Sequence, residues 1–573
     1  MENFLKDNED ILFHLEHLDL DRIVRLKEEG FREAGRYPYA PKDEKDAREN
    51  YRLVLSIIAE ICGEFIAPAA PGVDEAGPVL ENNQVRLNPA TQKALDMFAQ
   101  ADLMGFCIPR QYGGLNMPTT ILSVAAEIIA RADASFLNFG LQQDIAETIN
   151  KFASEEQKQA VLPRLCSGEW GSSMILTEPD AGSDLQAVNL KAVPGDDGAW
   201  YLTGVKRFIT NGCGTIGLVL ARSEDQGRGA RGLSFFLYER DDKMIIRRLE
   251  HKLGIHGSPT CELQFNHAPA RLVGERQRGL TKYTMWLMNN ARLGIAAQAV
   301  GIAEAAYREA DRYAAKRVQF GAPVRTLPPV FEMLTEMKVS IEAGRTLLYE
   351  TSRFVDLKEA LEDYSEKHPE EKGEIIEEKK KYARLAGFFT PMVKAYTTEM
   401  ANKVAYDAIQ IHGGTGYMKE FNAERHYRDA RITNIYEGTT QLQIVAAIGP
   451  VTSGIAQMIL DEYDRSGFPQ GPELLEKIRA GRKLFDETLD FVKAYKGHEQ
   501  FLTYHSRRLV EMATDLIIGY LLLRDGAHSG RKLKVASIFI TRMSSRIEAN
   551  RNFILCEDGT LLKNYGEVIN SVD

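Results

Sequence analysis

The hydrophobic period of this chain changes twice, and that order limits its fold more tightly than any bulk property. Between Asn50 and Cys166 apolar residues recur at three- and four-residue spacing, as in Leu53, Ile57, Ile58 and Ile61 and again in Ile121, Val124, Ile128 and Ile129. This is the pattern of helices that bury one face. From Ser172 the runs become short, β-branched or aromatic and bounded by turn residues: Trp200–Leu202, Phe208–Thr210, Leu218–Ala221, Leu233–Tyr238 and Leu263–Phe265. Such runs read as strands. After Gly279 the helical period returns through Met285–Ala315, Val330–Leu357, Tyr382–His412, Leu474–Tyr495 and Phe501–Leu523. The expected fold is mainly α with a central β domain. Asp197-Gly198 and Asn211-Gly212 are expected as hairpin turns, and turn-rich stretches at Pro68–Gly77 and Pro109–Pro118 are expected to separate helices.

These changes divide the chain into an N-terminal helical arm (1–47), an N-terminal α domain (48–171), a middle β domain (172–278), a C-terminal helical domain (279–450) and a helical extension (451–573). Within the fourth, the charge-dense stretch 356–381 reads as a solvated helix extension or loop.

Lys plus Arg number 71 and Asp plus Glu 81, for a formal charge of −10, which argues against a nucleic-acid binder. Cys62, Cys107, Cys166, Cys213, Cys261 and Cys556 stand singly with no CxxC pair. They form neither a zinc pattern nor a disulfide framework, so no metal site is expected and a reducing compartment fits. Glu2, Asp7, Glu9, Asp10, Glu16 and Asp19 load the first twenty residues with acid, the wrong chemistry for a secretory or mitochondrial leader. A mature cytoplasmic protein is expected. Apolar runs such as Leu516–Leu523 fall short of the roughly 20 residues that span a bilayer.

Gly212-Cys-Gly-Thr-Ile-Gly217 satisfies the G-x-G-x-x-G pattern but precedes a strand-like run instead of opening a helix, so it does not read as a dinucleotide fingerprint. Five other segments offer chemistry. Leu176–Asp184 (LTEPDAGSD) packs hydroxyls and a glycine into a turn. Lys206–Gly212 places Phe208 and Thr210 on one strand face. Arg317 and Phe320, in Arg317-Val-Gln319-Phe320-Gly321, can pair with phosphate and stack on a ring. Gln410-Ile-His-Gly-Gly414-Thr-Gly-Tyr417 permits close backbone approach to a ligand. Tyr427–Gln441 sets Glu437 beside a glycine and two hydroxyls.

In this order, together with Gly113-Gly114, the turn Lys252–Thr260 and Arg292, these segments resemble the acyl-CoA dehydrogenase family of flavoproteins over roughly Tyr51 to Pro450. The resemblance implies an N-terminal helical domain, a β-barrel-like middle domain and a C-terminal four-helix bundle, with FAD as cofactor. Met174, Leu176, Thr177, Gly182, Ser183, Phe208 and Thr210 match positions that line the isoalloxazine and ribityl chain. Arg317, Gln319, Phe320, Gln410 and Gly414 match positions that reach FAD of a neighbouring subunit, which implies an oligomer. Thr439 and Gln441 match further flavin contacts, and Ser183, Asn289, Arg292, Tyr436 and Gly438 match positions near the acyl-CoA. Glu437 matches the base that removes the α-proton while the β-hydrogen leaves as hydride to flavin N5. A carboxylate does this work when burial raises its pKa toward the operating pH. Some members carry the base just before the Arg292 match, but that position here is Ala291, and Tyr283–Ala303 contains no acid.

Many relatives have a Gln where this chain has Leu327, followed by Pro328-Pro329. The long ends resemble those of extended family members, in which an extra helical domain covers the surface that shorter members use to pair dimers. A homodimer is therefore expected, with an electron-transfer flavoprotein as acceptor. An acyl-CoA oxidase using oxygen and a DNA-associated flavoprotein relative remain as alternatives. The acyl chain is not legible.

Overall fold

The first helical period becomes a rod, Glu44–Ile61, continued by a π-helical turn, Cys62–Ile66, and by Ala67–Ala76. The Asp43 carboxylate caps its start by accepting from the Asp46 N–H at 2.8 Å, satisfying one of the orphan donors there. The computed structural model describes residues 2–140, 143–224, 229–495, 498–556 and 560–570. Pro68–Gly77 is not the break expected of it. Pro68 sits in the first turn after the π segment, where its missing N–H costs no ladder bond, and the helix ends only at Gly77, φ +60°. By length and composition alone the rod could cross a membrane, with a mean hydropathy of 1.8 over its most apolar stretch. Counting uninterrupted apolar runs misses it because Glu60 and Glu64 intervene. Tyr51, Leu55, Ile58, Cys62 and Ile66 on this rod are buried in the main helical core. A small hairpin, Val79–Glu81 with Gln84–Arg86, follows. Its turn residues Asn82 and Asn83 both have positive φ, as a type I′ turn requires.

The middle strands close on themselves. Ile216–Arg222, Lys191–Pro194, Trp200–Thr210, Thr260–Leu272 and Leu233–Glu239 pair in that order, and the last pairs back with the first. Ser172–Ile175 adds parallel to Ile216–Arg222, and Met244–Leu249 adds to Thr260–Leu272. The uninterrupted apolar runs of the sequence are strands buried on both faces. Val219, Ala221, Phe236 and Tyr238 fill one core, while Leu218, Leu220, Phe235 and Leu237 pack on the other side with Ile145, Leu162 and Tyr283 of the helical domains. Asp197-Gly198 does turn a hairpin, between Lys191–Pro194 and Trp200–Thr210. Asn211-Gly212 does not, because Trp200–Thr210 and Ile216–Arg222 are not paired. Asn211 turns a barrel corner instead, donating its side-chain amide to Ser172 O at 2.9 Å. Ile216–Arg222 being a strand, no helix N-terminus stands behind Gly212–Gly217.

The long helices Met285–Lys316, Pro328–Lys367 and Lys372–His412 pack together, flanked by Ala423–Thr433 and Thr440–Thr452. Pro328-Pro329 opens the second of them with Leu327 at the cap, where proline's fixed φ suits a first turn. The charged stretch 356–381 is mostly helix, running from the end of one rod into the start of the next, and it is not wholly solvated. Asp356 is buried and accepts from the N–H groups of Thr119 and Thr120 at 2.7 and 2.8 Å. It thereby caps helix Thr119–Ala132, which has no side-chain cap of its own, and its charge suits that positive end.

The extension contributes Ile455–Ser466, Pro472–Ala494, His498–Asp525, Gly530–Leu555 and Thr560–Ile569. Leu516–Leu523 is apolar on every side because it is buried on every side. Arm, N-terminal domain, bundle and extension share one core and one buried ionic cluster. Arg345 donates to Asp10 of the arm, Glu127 of the N-terminal domain and Glu304 of the bundle, and Lys532 of the extension pairs with Asp10 and Glu342.

Candidate active site

Helices Ala423–Thr433 and Thr440–Thr452 are joined by a short loop that carries Glu437. Glu437 and Gly438 both adopt left-handed backbone, φ +51° and +91°. For a glutamate this conformation persists only when its surroundings over-determine it. Here they do. Arg292 Nε donates to Glu437 O at 3.2 Å, and Gln443 Nε2 donates to Glu437 O at 3.3 Å and to Gly438 O at 2.9 Å. Lys394 Nζ donates to Tyr436 O at 2.8 Å and to Gly438 O at 2.5 Å. Thr439 caps the following helix by accepting from Leu442 N at 3.5 Å.

Burial pushes the Glu437 carboxyl up to about 7, the Asp144 carboxylate adds to the rise, and Lys394 and Arg292 oppose it. A carboxylate in this range can take a proton near neutral pH. Asp144 opens helix Gln143–Phe152 and is itself raised to about 6 by burial. Around this loop the expected residues come together. Arg292 Nη1 donates to Asn289 Oδ1 at 2.9 Å, and the Tyr436 hydroxyl bonds to Gln298, whose amide also reaches Asn138.

A second group forms where strand Ser172–Ile175 runs into Leu176-Thr177. Lys206, fully buried, donates to Leu176 O at 2.7 Å and pairs with Glu178 at 3.0 Å. Arg207 N donates to Thr177 O at 2.9 Å. These bonds tie the turn to strand Trp200–Thr210, where a register break falls between Lys206 and Ile209. Within that break Phe208 has φ +61° and is 53% exposed. An exposed ring on a strained bulge, a Gly182 whose absent Cβ would only touch Thr177 Cγ2 at 4.0 Å, and the Thr177, Ser183 and Thr210 hydroxyls with Met174 and Leu176 suit a planar ring system with polar edges. The residues present fit a flavin.

A third group lies on the surface. Tyr313 stacks on His412 with ring centroids 4.4 Å apart, and Thr415 donates to its hydroxyl at 3.1 Å. That contact joins the end of helix Met285–Lys316, carrying Arg317, Gln319 and Phe320, to the loop after Gln410 that carries Gly414. Phe320 is 94% exposed at the tip of hairpin Val318–Gln319 with Ala322–Pro323, and Arg317, Gln319, Gln410, Gly414 and Gln441 are exposed as well. Sequence reasoning missed Lys394, Gln443 and Asp144, and it quoted Lys206 within its segment without giving it a role. A lone lysine within the apolar run around Met392, Val393 and Ala395 was the one available signal.

Family models match nearly the whole chain. The acyl-CoA dehydrogenase N-terminal domain covers residues 49–169, the middle domain 173–268, the C-terminal domain 278–447, and a further acyl-CoA dehydrogenase C-terminal model 452–556. The 3-methylmercaptopropionyl-CoA dehydrogenase of Ruegeria pomeroyi is 33% identical over 532 residues, 86% of each chain. Butyryl-CoA dehydrogenase from Megasphaera elsdenii is 30% identical with a TM-score of 0.59, covering 70% of this chain and 97% of its own. The fold of a Bacillus anthracis acyl-CoA dehydrogenase, solved with FAD, extends over 91% of this chain and 92% of its own, with a TM-score of 0.75 at 21% identity. With these motifs on this fold, the chain belongs to the acyl-CoA dehydrogenase family, FAD-dependent oxidoreductases acting on CH–CH donors.

Proposed function

We propose that the protein desaturates an acyl-CoA thioester to its trans-2-enoyl product with Glu437 as the base. The observation that carries this reading is a partly buried carboxylate raised to about 7 on a loop whose carbonyls are held by Arg292, Gln443 and Lys394. Met174, Leu176, Thr177, Gly182, Ser183, Phe208, Thr210, Thr439 and Gln441 would hold FAD, which when bound accepts the β-hydrogen with its electron pair. Glu437 takes the α-proton onto a carboxylate oxygen. Asn289, Arg292, Tyr436 and Gly438, with Ser183, would place the thioester beside it.

Anaerobic flavin bleaching against a panel of acyl-CoA thioesters tests this reading, with 3-methylmercaptopropionyl-CoA first because of the relative matched over 86% of each chain. A product two hydrogens lighter is expected, and a panel that leaves the flavin oxidised sinks it. We assign an electron-transfer flavoprotein as acceptor, so turnover is expected with that protein and little peroxide in air. Rapid peroxide formation would identify an oxidase. The exposed Phe320 face supports a homodimer that completes each FAD site, checked by light scattering of holoenzyme and of Phe320→Ala. The six free thiols support a reducing, cytoplasmic setting.

Asp144 gives a pH prediction. Its negative charge raises Glu437, so Asp144→Asn lowers the Glu437 pKa. The acid limb of the flavin-reduction profile is then expected to move to lower pH. A limb that stays in place or moves upward would contradict this geometry.

A further inference from the structure

Lys394 lies on the buried face of helix Lys372–His412 with no exposed surface. Among the described residues no carboxylate lies within ion-pairing distance of its ammonium; its acceptors are two backbone carbonyls, Tyr436 O and Gly438 O. Burying an ammonium costs free energy that a neutral side chain of similar length would avoid. Two neutral acceptors recover only part of that cost. The two carbonyls flank Glu437 on either side, and the residue between them has left-handed backbone. With Arg292 and Gln443 on the carbonyl of Glu437 itself, three consecutive peptide groups are fixed by side chains from three different helices.

Resting on the reading of Glu437 as base, we propose that Lys394 is a positioning residue that clamps the catalytic loop through the carbonyls on both sides of Glu437 and whose buried charge favours the ionised carboxylate. Five charged groups set this balance. Glu437 faces Lys394, Arg292 and Asp144, while Lys394 faces Glu437, Arg292 and Glu399. Glu399 is itself engaged, accepting from Thr440 Oγ1 at 2.7 Å. Burial pulls the Lys394 ammonium down to about 7, so it carries its charge on the acid side, where the Glu437 limb is read. Removing that cation leaves Arg292, among the described residues, as the favourable charge facing the base, so the Glu437 pKa rises.

The test compares holoenzymes of wild type, Lys394→Met, Lys394→Gln and Glu437→Gln with the panel substrate that bleaches the flavin fastest. In Lys394→Met the flavin content is expected to stay, KM to change little, and kcat at neutral pH to fall about ten- to a hundredfold, the scale of a small misplacement of a reacting group. The acid limb of the kcat profile is expected to move up by about one pH unit, as loss of a nearby opposite charge requires. Infrared titration of the Glu437 carboxyl, assigned by its absence in Glu437→Gln, is expected to show the same upward shift without turnover. Lys394→Gln keeps a donor but no charge, so it is expected to recover much of kcat while retaining the shifted limb. Adding Lys394→Met to Glu437→Gln is expected to cost no further activity, because the lysine acts through the glutamate.

A Lys394→Met enzyme with wild-type kcat and an unmoved carboxyl titration overturns the proposal. If Lys394→Met fails to hold flavin, Lys394→Gln decides alone, and an unshifted limb there overturns it. Full activity in Glu437→Gln would instead sink the base assignment, so the two failures are distinguishable.

Discussion

Glu437→Gln is expected to bind FAD as the wild type does and to lose about 10²–10⁴ in turnover, the range that removal of a general base produces. Glutamine keeps the size of the side chain but cannot accept the α-proton. The loop should survive the change, because Arg292, Gln443 and Lys394 hold it through backbone carbonyls that the substitution leaves in place. The check is flavin absorbance at equilibrium beside stopped-flow bleaching with an active thioester. Bleaching within a few-fold of wild type would require another base, and Tyr283–Ala303 offers no carboxylate to serve.

The second large effect concerns stability. Arg345→Met is expected to cost about 3–5 kcal/mol, the usual result of removing one partner from a buried ion pair. Arg345 is fully buried and donates to Asp10, Glu127 and Glu304, so its loss leaves acid groups from three parts of the chain short of a cation. Denaturant unfolding of the holoenzyme measures it, and a midpoint unchanged from wild type would refute the cluster's role.

The pH dependence has a definite sign. Burial by itself would raise Asp10 and Glu304. Lys532 and Arg345 around Asp10, and Lys338 and Arg345 around Glu304, outweigh it and hold both carboxyls well below the usual carboxylate range. Carboxyls depressed in the folded state contribute stability above the unfolded pKa, near 4, and lose it as pH falls toward their folded values. The wild type should therefore weaken below about pH 4. The gap to Arg345→Met should narrow over the same range, because protonated carboxyls no longer need the arginine.

Much of the fold was legible because periodicity reports which face of an element is buried. Leu218–Ala221 is an unbroken apolar run because both faces of its strand are covered, and Leu516–Leu523 because its helix is enclosed. Glu437 and Phe208 could be found from local motifs, since each sits in a turn or bulge whose chemistry is written in adjacent residues, whereas Arg292 stands inside helix Met285–Lys316 and was reached through the family resemblance. Two turn-rich segments misled. Pro68–Gly77 is compatible with a helix once a π-helical turn precedes it, and Asn211-Gly212 bends a strand around a barrel corner instead of reversing it.

By itself the sequence determined the order of helical and β parts, the loop that carries the candidate base and the residue types that would hold a flavin. Only the tertiary structure decided that Asp356 caps a helix 236 residues away, that Arg345 meets Asp10 across 335 residues, and that Lys394 reaches the carbonyls beside Glu437. A residue's own neighbours record whether it is buried. Which donor finds which acceptor depends on how separate helices pack, and the polar groups buried by that packing must find partners there.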